Sequence, residues 1–200
     1  MNNLETKDTK SEWVLAVSGI KFEAQKKGGL ILGVDKTAVD ASKLKEIAEA
    51  RGLGEKDEIH LTVIGSDTME AILASLGRIS DNKRNEILSQ IQGLAESTEW
   101  KFKIKPEFYY VKKEYNDPDP NNHEKTIPET RRSIVQMVET ENLGQFYGKL
   151  EEITGLKFEV PLLHITLFTT STREDKKQRG IGIYSEKDFE SLNPERIEVN

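Results

Sequence analysis

Two hundred residues suffice for one domain of ordinary size that buries its own core, so folding needs no disulfide or metal staple. A net charge of −6, with 36% hydrophobic and 32% charged residues, describes a well-solvated chain and argues against a protein that coats extended DNA or RNA, which would carry a basic surface. The absence of cysteine removes disulfides, thiol nucleophiles and thiolate metal sites, and it fits a reducing compartment.

The first residues, Met1 to Asp8, are polar and mixed in charge, unlike the basic start and apolar run of an export signal. No apolar stretch approaches the roughly 18–20 residues of a membrane span. The expectation is a cytoplasmic, single-domain protein without membrane contact, in which residues 1–10 form a flexible tail.

In chain order, Trp13 to Gly19 and Gly29 to Val34 are short apolar runs bounded by glycine or charge, and both predict strands. Ala38 to Arg51 spaces Val39, Leu44, Ile47 and Ala48 as a helix does and stops at Gly52. Ile59 to Ile64 predicts another strand. Asp67 and Thr68 can cap a helix running to about Leu76, and Asn82 to Glu96 places Ile87, Leu88, Ile91 and Leu94 on one helical face. Trp100, Phe102 and Ile104 alternate with Lys101, Lys103 and Lys105, the period of a half-exposed strand. Pro106 interrupts that run, and Phe108 to Tyr115 continues it.

The stretch 116–125, dense in Asn, Asp and Pro, predicts a loop between two lobes, 11–115 and 126–192. Beyond it, Pro128 to Thr140 and Leu143 to Thr154 predict helices, the second stopped by Gly155. Phe158 to Phe168 predicts a strand, Thr169 to Arg179 a charged loop, Gly180 to Tyr184 a short strand, and Glu186 to Leu192 a last helical turn. Helices leading into an apolar strand thus occur twice, without a repeat of individual residues. The class expected is α+β, with a central, largely antiparallel sheet flanked by helices.

Two of the three histidines stand in one local pattern, His60-Leu61-Thr62-Val63 and His164-Ile165-Thr166-Leu167. Residues i and i+2 of a strand point to the same face, so each strand presents an imidazole and a hydroxyl on one side and aliphatic groups on the other. An imidazole, with a pKa of about 6.5, both accepts and donates protons near neutral pH. Two of them facing one substrate can divide the work, one deprotonating a nucleophile and the other protonating a leaving oxygen. Two threonine hydroxyls can hydrogen-bond the non-bridging oxygens of a phosphate held between them. A single His-x-Thr in a strand is commonplace. Two copies on matching strands, using two of three histidines, form a candidate site.

The paired motifs, about a hundred residues apart, resemble the 2H phosphoesterase superfamily, which includes 2′-5′ RNA ligase-like proteins and 2′,3′-cyclic nucleotide phosphodiesterases. Phe146 to Leu150, Thr154-Gly155-Leu156, Phe158-Glu159, Pro161 and His164 to Phe168 also resemble bacterial members. The resemblance implies a bilobal α+β fold in which two pseudo-symmetric lobes each supply one motif strand to a central cleft. It implies catalytic roles for His60 and His164 and phosphate-binding roles for Thr62 and Thr166, with no cofactor and no metal. The reaction it implies is hydrolysis of a cyclic phosphodiester, first of all a 2′,3′-cyclic phosphate on a nucleotide or RNA end. Cleavage of 2′-5′ linkages or cyclic oligonucleotide signals stays within the same chemistry, and a module that binds RNA ends or nucleotides without turnover is the alternative. The partner implied is a small nucleotide or RNA-end substrate, and no obligate protein partner is evident.

Further candidates for substrate contact are Tyr110, Lys112, Arg173, Arg179 and Tyr184. Lys101, Lys103, Lys105, Lys112 and Lys113 lie among Phe108, Tyr109, Tyr110 and Tyr115, a mixture that can stack bases. Its ordinary explanation is a sheet edge guarded by lysines. Arg173 and Arg179, in the charged loop after the second motif, can guide an anion or simply be solvated. His123 reads as a surface histidine. Gly28-Gly29 and Gly180-Ile181-Gly182 lack the strand–turn–helix context of a nucleotide-binding fingerprint and read as turn or strand-entry glycines. A metal hydrolase is disfavoured, since there is no Cys and no His-x-x-x-His or His-x-Glu pair.

Overall fold

The computed structural model describes residues 17–24, 29–119 and 122–199. Among these residues the framework is one antiparallel sheet of eight strands: β1 (Val17–Phe22), β2 (Leu30–Val34), β3 (Gly54–Glu55), β4 (His60–Ile64), β5 (Phe102–Asp119), β6 (Asn122–Thr140), β7 (His164–Ser171) and β8 (Glu195–Ile197). Their order is β1-β2-β4-β7-β6-β5-β8, and β3 pairs with β7 further along than β4 does. The helices are α1 (Lys45–Ala50), α2 (Ser66–Leu76), α3 (Asp81–Ser97), α4 (Leu143–Thr154) and α5 (Glu186–Ser191). A large antiparallel sheet flanked by helices is the α+β class expected. No helix among the described residues is long and apolar enough to cross a membrane.

Strand β6 shows how the sheet is covered. Ile134 and Val138 belong to the main core, whereas Val135 and Met137 belong to a second, smaller cluster with Val111, Ile181 and Ile183. Neighbours in a strand point to opposite faces, so the two clusters lie on opposite sides of the sheet. The main core joins Leu30, Leu32, Leu61, Val63, Ile165 and Leu167 to Met69 and Ile72 of α2, Ile91 of α3 and Phe146 and Leu150 of α4. On the other face the stretch 181–192 packs over β5 and β6. The central strands β4 and β7 are left with an open face beside it.

Several elements differ from expectation. Pro128 to Thr140 is strand, not helix. Its run Ser133-Ile134-Val135-Gln136-Met137-Val138 is buried on both faces, so it has no period of two, and an apolar run of that length does not distinguish strand from helix. The expected loop at 116–125 is the distal part of the β5–β6 hairpin, paired from Asn116↔Pro128 to Asp119↔Asn122. No third strand pairs there among the described residues, so Pro118 and Pro128 stand on open edges, where proline is tolerated. His123 therefore falls in a strand, and its side chain lies outside the described residues.

The helix expected over Ala38 to Arg51 narrows to α1. Before it the side chains of Asp35 and Asp40 take the backbone N–H groups of Thr37 and Ser42 at 2.9 and 3.1 Å, closing tight turns that compete with a helix. Gly52 then ends the segment with φ +66°, as expected of a helix stop. The first predicted strand begins at Val17, and Trp13 to Ala16 lie outside the described residues, as do residues 1–10 and Gly28. Gly29 has a packing reason rather than a turn reason: a Cβ there would overlap the Ile64 carbonyl.

Candidate active site

The two motif strands are sheet neighbours, paired antiparallel at Leu61↔Ile165, both fully buried. That register sets His60 opposite Thr166 and Thr62 opposite His164 on the face away from the helices. Val135 and Met137, which pair with Thr166 and His164, place this face with the smaller cluster. The histidines are diagonal neighbours, a relation that sets residues about 7–8 Å apart with their Cβ atoms somewhat closer.

Both strands are irregular at the same place. The β2–β4 register passes from Ile31↔Thr62 to Leu30↔Ile64, and the β6–β7 register from Val135↔Thr166 to Ile134↔Phe168. A bulge thus falls on Val63 and on Leu167, the residue after each threonine. It turns two successive side chains into the core, Val63 with Ile64 and Leu167 with Phe168. Ahead of the bulge, β4 thus presents His60 with Thr62 to the open face and β7 presents His164 with Thr166.

His60, Thr62, His164 and Thr166 all line one cavity of about 650 Å³, within the range of small-molecule sites. Its walls include Lys56, Lys113, Tyr115, Arg131 and the segment Gln178 to Tyr184. This segment, expected in part as a strand, is held by side chains instead. Successive carbonyls are met by the Lys56 ammonium at Gln178, the Thr169 hydroxyl at Arg179 (3.1 Å) and an Arg131 N–H at Gly180 (3.4 Å). They continue with the His164 Nε2 at Ile181 (3.2 Å) and the Lys113 ammonium at Gly182 (3.2 Å).

His164 also turns Nδ1 toward the Leu162 carbonyl at 3.2 Å. A neutral imidazole has one N–H and can donate to only one of these two oxygens. Burial holds the pKa of His164 below its ordinary value, against the opposing pull of the two carbonyls. His60 is lowered as well, by burial first, then by the charge of Lys56 and by His164 itself. Burial pushes Tyr115 up to about 12, so its hydroxyl stays protonated.

No family model, curated protein or solved structure matches the chain.

Of the remaining sequence candidates, Arg179 and Tyr184 line the cavity, and three others are placed elsewhere. Tyr110 lies under the Arg51 guanidinium, 4.4 Å from the ring centre, and packs against the main core. Lys112 is exposed and paired with Glu114 at 2.8 Å. Arg173 pairs with Asp175 at 2.7 Å. The parity of β5 explains the first two: Val111, Lys113 and Tyr115 share the site face, so Lys113 and Tyr115 line the cavity in place of Lys112 and Tyr110. Lys101 and Lys105 pair with Glu99 and Glu139 at 3.5 and 3.8 Å.

Lys56, Arg131 and Gly180 were not visible as site residues in the sequence. A Cβ at Gly180 would stand 2.9 Å from the Thr166 hydroxyl, so glycine there keeps that hydroxyl in place. Among the described residues no group of three or more His, Asp or Glu side chains is placed to hold a metal ion.

Proposed function

We propose that the protein is a metal-independent phosphodiesterase that opens a cyclic phosphodiester, first of all the 2′,3′-cyclic phosphate of a nucleotide or RNA end. The observation that carries this reading is the pairing of β4 with β7, which puts two imidazoles and two hydroxyls on one cavity wall. The bulge after each threonine supports the finer reading too, a 2H-like arrangement in which two pseudo-symmetric lobes each contribute one strand. In the reaction, one histidine takes a proton from water as its oxygen bonds to phosphorus. The other gives a proton to the ribose oxygen whose bond to phosphorus breaks. Thr62 and Thr166 donate hydrogen bonds to the non-bridging oxygens, where charge accumulates in the transition state. The product is a ring-opened phosphomonoester.

The experiment is a panel of cyclic and linear phosphodiesters followed by mass spectrometry. Turnover of a 2′,3′-cyclic phosphate in excess EDTA is expected. Loss of activity in chelator, restored by zinc or manganese, would move the protein to another mechanistic class. Because both imidazoles are held below about 6.5, the bell-shaped pH profile should peak on the acid side of neutrality. A maximum above pH 8 would contradict that pair as base and acid. Gly180→Ala should reduce turnover about tenfold by turning the Thr166 hydroxyl away from the phosphate, a loss of one charge-assisted hydrogen bond. An unchanged rate would separate Thr166 from phosphate binding.

A nucleotide-binding module is the second reading, favoured by the Ile181 carbonyl beside His164 Nε2, the nitrogen a substrate would need. Binding of cyclic nucleotides with no turnover of any ester supports the module. Turnover abolished in a His60→Ala, His164→Ala variant that still binds supports the enzyme.

A further inference from the structure

We infer that the cavity contains a second phosphate subsite, formed by Lys56 and Arg179 beside His60, and that the ligand is a nucleotide carrying another phosphate besides the one at the paired motifs. The identity of that first phosphate rests on the phosphodiesterase reading.

The cations of the cavity wall sort into two kinds. Arg131 is neutralised by the buried carboxylate of Glu129 at 2.6 Å and stacks on Tyr115. Lys113 is neutralised by Asp188 at 3.1 Å. Lys56 and Arg179 have no carboxylate within 4.0 Å among the described residues. Lys56 is half-buried, its ammonium directed at the neutral carbonyl of Gln178, with Asp57 and Glu58 near but unpaired with it. Lys56 is thus partly desolvated with no carboxylate in direct contact, whereas Arg179 is exposed, and an arriving anion offsets the desolvation of Lys56.

The two cations without a direct ion pair also lie at one end. Lys56 precedes β4, and its ammonium reaches the residue next to Arg179. Gly65 follows β4 and carries the Tyr184 ring against it, with Asp67 alongside. Five residue steps, one of them at the Val63 bulge, separate His60 from Gly65, at most roughly 16 Å, so the cationic end and the end bearing Tyr184 and Asp67 stand apart. Two cations free of direct ion pairs favour a second phosphate at the Lys56–Arg179 end, against the weaker opposing field of Asp57 and Glu58. At the aromatic end the Lys113 ammonium, 5.2 Å from the Tyr184 ring centre, is already paired with Asp188, so with Asp67 beside the ring that end suits a base.

The test is calorimetric titration of adenosine 3′-monophosphate and adenosine 3′,5′-bisphosphate into the wild-type protein, Lys56→Met, Arg179→Met and the double variant. Lys177→Met, whose lysine pairs with Glu174 outside the cavity, is the control. The wild type and control should prefer the bisphosphate by about tenfold or more, a preference that shrinks with added salt. In the double variant the ratio should fall to within about twofold. A merely structural loss weakens both ligands and leaves the ratio intact, which would overturn the subsite, as would a wild type with no preference.

Turnover of adenosine 2′,3′-cyclic phosphate, its 5′-phosphorylated form and a dinucleotide ending in the same ring tells a terminal monoester from an internucleotide diester as the second phosphate. If no ester turns over but the bisphosphate preference depends on Lys56 and Arg179, the subsite stands and the phosphodiesterase reading falls. If the cyclic phosphate is opened while the ratio is near unity, the reading stands and the subsite falls.

Discussion

Replacing His60 or His164 with alanine is expected to lower turnover of a 2′,3′-cyclic phosphate by about 10²–10⁴-fold, the range for removing a proton-transfer group. The two substitutions together should be little worse than either alone. Base and acid act in one step, so removing either already disables it, and the losses do not add. Thr62→Val and Thr166→Val keep the shape and delete one hydrogen bond to a charged phosphate, worth about 1.5–3 kcal/mol or roughly tenfold to a hundredfold in rate. His123→Ala should leave the rate unchanged. If His123 proved as damaging as His164 while His60 were dispensable, the site would have to be sought along the β5–β6 hairpin.

The second large effect is on stability. The Glu129 carboxylate is buried and accepts from Arg131 Nε and Nη2 at 2.6 and 2.9 Å and from the Ser171 hydroxyl at 2.7 Å, with the Lys176 ammonium at 3.6 Å. Removing one partner of such a pair strands a buried charge, so Glu129→Gln or Arg131→Met should each cost about 3–5 kcal/mol in urea unfolding. The double variant should recover part of that loss.

The hydrogen bond from Arg131 leads the causes that hold Glu129 down at about 2 from 4.5. Its stabilising contribution is therefore complete above about pH 4.5 and fades as pH falls toward 2. Glu129→Gln should flatten that part of the acid limb. A variant as stable as wild type at pH 7, with the acid limb intact, would show that the pair contributes nothing. Arg131 also reaches the Gly180 carbonyl, so the same substitutions should loosen the segment bearing Ile181 and weaken ligand binding.

Helix α4 was legible to its last residue, because Leu143, Phe146, Tyr147 and Leu150 recur at helical spacing and Gly155 ends it in the left-handed conformation, φ 70°. Helix α3 was equally plain, with one apolar face; α2 ends at Leu76 as expected but starts at Ser66 after Gly65, ahead of the expected caps Asp67 and Thr68. Strand β6 was misread as a helix because it is covered on both faces, by different clusters, and so carries no alternation. The carbonyls of Gln178 to Gly182 are taken by side chains distant in sequence, such as Lys56 and Arg131, and no local pattern announces such contacts.

The residues by themselves determined that His60 with Thr62, and His164 with Thr166, share a face, since side-chain alternation along a strand is a local property. They also determined the α+β class. Only the tertiary structure decided that the two strands are neighbours and that their registers bring one His opposite the other strand's Thr. It alone decided that Lys113 and Tyr115, rather than Lys112 and Tyr110, face the cavity. Alternation sorts residues into two sets, but which set faces the site depends on what packs against each side of the sheet. Here that is the helical core on one side and the stretch 181–192 on the other, both assembled from segments far apart in the chain.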